Sequence, residues 1–186
     1  ATGTVVATIP VGEFPEAVGV NPNTNLIYVA NAESNTISVI DGNTNTVIAT
    51  IPTGSFPLGA SVNPNTNLIY TSNSSDNTVS VINGNANTVI ATIPVGNSPE
   101  VHPNTNLIYV PNTGDNTVSV IDGNTNTVIA TIPVGANPET VTVNPNTNLI
   151  YVPNTNDNTV SVINGNTNTV VATIPVGNTP ANAAVD

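Results

Sequence analysis

The sequence predicts an all-β protein, a β-propeller-like array of four-stranded antiparallel blades built from about four and a third 42-residue repeats. Three observations predict it. Tyrosines stand at 28, 70, 109 and 151, spaced by 42, 39 and 42 residues, and an ATIP segment recurs in step with them. Each unit carries four short apolar runs rich in β-branched residues and bounded by Gly, Pro, Asn or Asp, which is the pattern of strands and not of helices. Runs such as Leu26-Ile27-Tyr28-Val29 are apolar at consecutive positions, so side chains leave both faces of a small sheet greasy and each sheet needs a neighbour on either side.

In the second unit the strands are expected near Ala60–Val62, Leu68–Tyr70, Thr78–Ile82 and Thr88–Ile93. Asn63-Pro64-Asn65 opens one tight turn, and Asn83-Gly84, like Asp41-Gly42 and Asp122-Gly123, marks a hairpin. A ring of stacked sheets satisfies the two-faced pattern, and a repeat of about 40 to 50 residues matches propeller blades. A β-solenoid is the competing architecture, disfavoured because its coils are not joined by hairpins. The whole chain, 1–186, reads as one repeat domain with units near 12–53, 54–95, 96–134 and 135–176 and partial units at both ends.

Thr4 to Val11 matches the last strand of a unit and Pro180 to Ala184 the first strand of another, so about eighteen strands are expected. A fragment of a longer propeller, an open arc completed by other copies, and a closed four-bladed ring with overhanging ends all fit that pattern. The third unit lacks three residues between Pro99 and Asn104. An odd deletion inverts the alternation of a strand, so its innermost strand is expected to be shortened, bulged or absent.

Composition excludes whole classes of function. The 186 residues include no Lys, Arg, Cys, Met or Trp, one histidine and 11 carboxylates, for a net charge of −11. Without cations the chain has no means of neutralising phosphates, which argues against nucleic-acid binding and attraction to anionic lipid. Thiol catalysis, disulfides, thiolate zinc sites and lysine chemistry are absent for want of the side chains. No apolar stretch is long enough for a membrane helix, so membrane insertion is not expected, and no basic segment followed by an apolar one opens the chain. A slightly positive mean hydropathy, +0.11, argues against disorder.

Tyr28-Val29-Ala30-Asn31, Tyr70-Thr71-Ser72-Asn73, Tyr109-Val110-Pro111-Asn112 and Tyr151-Val152-Pro153-Asn154, with their flanking NTVSVID and TVIATIPVG segments, resemble the YVTN repeat of surface-layer-type β-propellers. The resemblance covers essentially the whole chain. It implies a propeller found on or outside the cell, seven-bladed in the usual member, with lactonase-like and quinoprotein-like propellers as distant architectural relatives. No catalytic motif of those relatives is present, so no active residue carries over.

Candidate site residues are few. Glu33, Asp76, Asp115 and Asp157 fall in the turn after the tyrosine strand, where oxygen-rich loops suit calcium. Asx-turn and solubilising chemistry is the simpler account of them, since neither the spacing nor the terminal Glu of an EF-hand loop is present. Glu16, Glu100 and Glu139 would form a weak cation-attracting ring if they lined an axial mouth. Asn73-Ser74-Ser75 is the only N-glycosylation sequon. His102, aligned with the place of Val20-Asn21 or Val143-Asn144, is the lone general base, and it has no second histidine or Ser-His-Asp arrangement beside it.

A nearly identical surface on every unit suits a scaffold or multivalent binder better than an active site, which needs different residues converging on one substrate. The expected function is a non-catalytic extracellular structural or adhesive repeat protein, a surface-layer or filament subunit that assembles head to tail through blade faces or terminal strands. Glycans are a candidate partner, and no cofactor beyond calcium is expected. The alternative is a small-ligand-binding or lactonase-like propeller with its site near His102.

Overall fold

The computed structural model describes residues 3–96, 102–104 and 106–184. Among these residues there is no helix. Sixteen strands form four antiparallel four-stranded sheets, each a meander in chain order. The first holds β1 (Pro15–Asn21), β2 (Leu26–Asn31), β3 (Thr36–Asp41) and β4 (Thr46–Pro52). The second holds β5 (Ser61–Asn63), β6 (Leu68–Asn73), β7 (Thr78–Asn83) and β8 (Thr88–Pro94). The third holds β9 (His102–Asn104), β10 (Leu107–Asn112), β11 (Thr117–Asp122) and β12 (Thr127–Pro133). The fourth holds β13 (Thr142–Asn144), β14 (Leu149–Asn154), β15 (Thr159–Asn164) and β16 (Thr169–Pro175). Antiparallel pairing throughout removes the solenoid. The first strands of successive sheets lie side by side, β1 by β5, β5 by β9 and β9 by β13.

The sheets stack face to face, and the core is the three seams between them. Tyr28, Ile37, Val39 and Ile51 of the first sheet meet Ala60, Ile69 and Ile82 of the second. Tyr70, Val79 and Val81 on the other face of the second sheet meet Ile108 and Ile121 of the third. Tyr109, Val118 and Val120 then meet Val141, Ile150 and Ile163 of the fourth. The second sheet thus buries Ile69 and Ile82 in one seam and Tyr70, Val79 and Val81 in the next, because alternate residues of a strand leave opposite faces. Full burial of one such side chain is worth roughly 1.5 to 3 kcal/mol, which an isolated sheet could not realise. Gly19 of β1 permits the close approach of the inner strands: a Cβ there would collide with the carbonyl oxygen of Ala60.

Every fourth strand is an edge, and each carries a β-bulge. Ile40 pairs with Val47 and Val39 with Ala49, which leaves Ile48 extra, and the shift recurs at Ile90, Ile129 and Val171. These bulged residues are about half exposed. A bulge twists an open edge away from further pairing, and this chain has no lysine to guard it.

Three expectations are corrected. Among the described residues the strand count is sixteen and not about eighteen: Thr4 to Val11 and Pro180 to Ala184 form no ladder. The tyrosine strand does not stop at Tyr70 but continues to Asn73, since Thr71 and Ser72 pair with Ser80 and Val79. The innermost strand of the third sheet is present with three residues, as in the second and fourth. Asn104 pairs with Leu107 there, whereas Asn63 pairs with Leu68. The hairpin is two residues tighter, and an even change keeps the in-out alternation.

Candidate functional site

The polar residues are placed by a turn that recurs every ten residues. Asn21, Asn31 and Asp41 each open a turn closed by Asn25, Asn35 and Asn45, and the three closing asparagines have φ near +55°. Asparagine tolerates that left-handed conformation because its short side chain bonds locally. The Asp41 carboxylate accepts from Asn43 N at 2.8 Å and Asn83 Oδ1 from Asn85 N at 2.8 Å. The Gly after Asp41 or Asn83 does not adopt positive φ, so these hairpins are four-residue turns and not two-residue ones.

The asparagine that ends each tyrosine strand is a cross-strand clamp. Asn31 Nδ2 donates to Thr36 Oγ1 and Ser38 Oγ, and Asn73, Asn112 and Asn154 repeat the pair of bonds at 2.9 Å onto Thr78 and Ser80, Thr117 and Ser119, and Thr159 and Ser161. The glycine of the connector from the preceding sheet passes directly over this side chain: a Cβ on Gly54 would stand 2.7 Å from Asn73 Cγ. Asn73 therefore has no exposure and both amide hydrogens engaged. In the folded protein the sequon asparagine therefore lies inside the structure and not on its surface.

The calcium candidates anchor the same connectors. Asp76 Oδ2 accepts from Ser55 N at 2.6 Å and Asp157 Oδ2 from Ala136 N at 2.7 Å. Asp115 lies beside Gly96 at the matching place. In the first sheet that place belongs to Ser34, whose hydroxyl accepts from Glu13 N at 2.7 Å, and Glu33 is one residue earlier and exposed. The turns of Asp76 and Asp157 thus each offer one carboxylate with an oxygen already committed, and among the described residues no three His, Asp or Glu side chains come together. Glu16 and Glu139 are exposed, the latter accepting from Asn137 Nδ2 at 3.0 Å, and Glu100 lies outside the described residues. His102 stands on the innermost strand with its backbone opposite Tyr109, and its side chain lies outside the described residues.

Beside three of the connectors runs an open crevice that includes hydroxyls, such as that of about 500 Å³ among Gly54, Asp76, Thr78 and Ser80. It recurs around Ser34, Thr36 and Ser38 and around Asp157, Thr159 and Ser161. These groups offer hydrogen bonds, and no nucleophile stands there with a base. Burial pushes the phenols of Tyr28 and Tyr109 up from the usual tyrosine range. Burial, assisted by the charge of Asp122, pushes Tyr70 up to about 12.

The two end faces of the stack are the surfaces that sequence reasoning left without residues. On the fourth sheet Ile174 is 43% exposed, whereas its counterparts Ile51, Ile93 and Ile132 are 2 to 4% exposed. On the first sheet Val18 is 65% exposed, and its counterpart Ala60 is 8%. Within the four described sheets, these two positions are thus more exposed than their counterparts at the internal seams.

Comparison with family models finds no match, and comparison with curated proteins finds none either. Among solved structures the chain is similar to Kuenenia stuttgartiensis hydrazine synthase, with a TM-score of 0.80 at 21% identity over 94% of this chain and 52% of that one. The likeness establishes the fold, an all-β, β-propeller-type stack of antiparallel sheets. This chain spans about half the length of that structure.

Proposed function

We propose that this chain is a non-catalytic structural or adhesive repeat protein of the YVTN-repeat propeller type, working outside the cell as a surface-layer or filament subunit. The observation that carries the reading is the fourfold clamp of Asn31, Asn73, Asn112 and Asn154. Side chains that look like chemistry in the sequence are spent, sheet after sheet, on holding turns and connectors. What remains on the surface is the same hydroxyl-lined crevice copied along the stack, which suits weak multivalent contact, glycans included, better than turnover. An exterior setting agrees with a chain that offers trypsin no cleavage site.

In this reading the open end faces are association surfaces, and the sheets are blades of an array completed by further blades. Electron microscopy of the purified chain tests it: arcs or fibres support the scaffold, and dispersed single particles with a measurable hydrolytic activity refute it. A second reading, a small-ligand or lactonase-like site near His102, draws on the place of that residue on the innermost strand. Loss of a lactonase or ligand-binding activity in His102→Ala supports that alternative.

A further inference from the structure

We propose that the exposed face of the fourth sheet docks a second copy of this chain, which seats the exposed face of its own first sheet there, head to tail. The inference deepens the scaffold reading and rests on it. The three internal seams show what covers each kind of face. A Tyr-and-valine face, Tyr28 with Val39 or Tyr70 with Val81, is always covered by the isoleucine face of the next sheet, Ile69 with Ile82 or Ile108 with Ile121. The fourth sheet presents Tyr151 and Val160, half-buried, and Ile174 at 43% exposure, while Val162, the counterpart of Val39 and Val81, is 5% exposed. The first sheet presents Ile27, half-buried, and Val18 at 65%, while Ile40, the counterpart of Ile82 and Ile121, is 5% exposed. The second copy therefore continues the three seams with the same residue types in the same order. Because the two faces differ, the contact is heterologous, and the rotation between successive copies decides between a ring and a fibre.

One segment lies in the way. Thr140 Oγ1 donates to Ala181 O at 3.0 Å and Thr142 Oγ1 to Ala183 O at 2.7 Å, which holds residues 179–183 along β13, where β1 of the arriving copy must run. That segment swings aside on docking. Both partners are anionic with no cation to offset them, so salt strengthens the contact.

Sedimentation velocity on the full chain over a hundredfold range of concentration tests the pairing. Wild type is expected to grow with concentration, and Val18→Asp and Ile174→Asp each to stay monomeric. An equimolar mixture of the two variants retains one intact face of each kind and is expected to give dimers and nothing longer. Thermal melts establish that the variants fold, and Val18→Ser with Ile174→Ser replaces any that do not. Thr140→Val with Thr142→Val is expected to strengthen association several-fold by releasing the segment. Association that ignores both face variants, a mixture that stays monomeric, or weakening by the threonine pair overturns this pairing and leaves the scaffold reading standing. A wild type that is monomeric throughout overturns the pairing, and fibres or activity in the microscopy experiment decide the scaffold separately.

Discussion

The Tyr28 hydroxyl of the first sheet stands against Gly84 in the hairpin of the second, so close that a Cβ on that glycine would fall 2.8 Å from it. Tyr70 and Gly123 repeat the relationship at 2.7 Å across the next seam. The glycine after Asn83 is therefore required both by Asn67 Oδ1 of its own sheet, which a Cβ would approach to 2.6 Å, and by the Tyr28 hydroxyl of the neighbouring sheet, whereas the glycine after Asp41 is required by Asn25 of its own sheet. Gly84→Ala is expected to destabilise by about 1 to 3 kcal/mol through overpacking. The Tyr28 hydroxyl is buried without a partner, so Tyr28→Phe is expected to cost little and to relieve part of the Gly84→Ala defect. A double-mutant cycle in urea measures the coupling, and strict additivity would contradict the contact.

Thr71 and Ser72 occupy positions held by Val29 and Ala30 in the first sheet. Both are fully buried, and both hydroxyls lack a partner. An unpaired buried hydroxyl costs about 1 to 3 kcal/mol. Thr71→Val with Ser72→Ala is expected to raise the melting temperature by several degrees, and a decrease on calorimetry would contradict the burial assigned to them.

Much of the fold was legible because two-faced apolar runs and a regular period survive in every copy. The end of β6 was not, since Thr71-Ser72-Asn73 has the composition of a loop and is a strand only through its pairing with β7. The alignment of Glu33 with Asp76 misled for a related reason: the turn conserves the spacing between Asn31 and Asn35, which places Ser34 at the anchoring position. The ten-residue recurrence of Asn21, Asn31 and Asp41 was the signal for these turns. The bulges had a signal too, in the adjacent Val47 and Ile48 on an edge strand. Burial of Asn73 was invisible, because a sequon says nothing about which glycine passes over it.

Stability at high pH tests the buried phenols. Tyr70 ordinarily titrates near 10 and is held at about 12 in the fold. The unfolded chain therefore loses its proton first, and stability that is intact below pH 10 declines between about pH 10 and 12 at roughly 1.4 kcal/mol per unit. Tyr28 and Tyr109 act in the same direction. Urea midpoints from pH 8 to 12 should fall over that window, less steeply in Tyr70→Phe. A flat profile would contradict the burial of the tyrosines.

Asp76 holds the connector through Ser55 N, a charge-assisted bond. Asp76→Ala is expected to cost about 1 to 3 kcal/mol, equally with and without a calcium chelator. A loss that appears only in the presence of calcium would show that the carboxylate serves an ion.

Hydrogen exchange read strand by strand addresses most directly the claim that each sheet is ordered by the sheets on either side of it. Under conditions where the chain is monomeric, β6, β7, β10 and β11, enclosed on both faces, should exchange slowest, and β16, exposed along its whole length, markedly faster than β8 and β12. Protection in β16 equal to that in β12 would contradict the account.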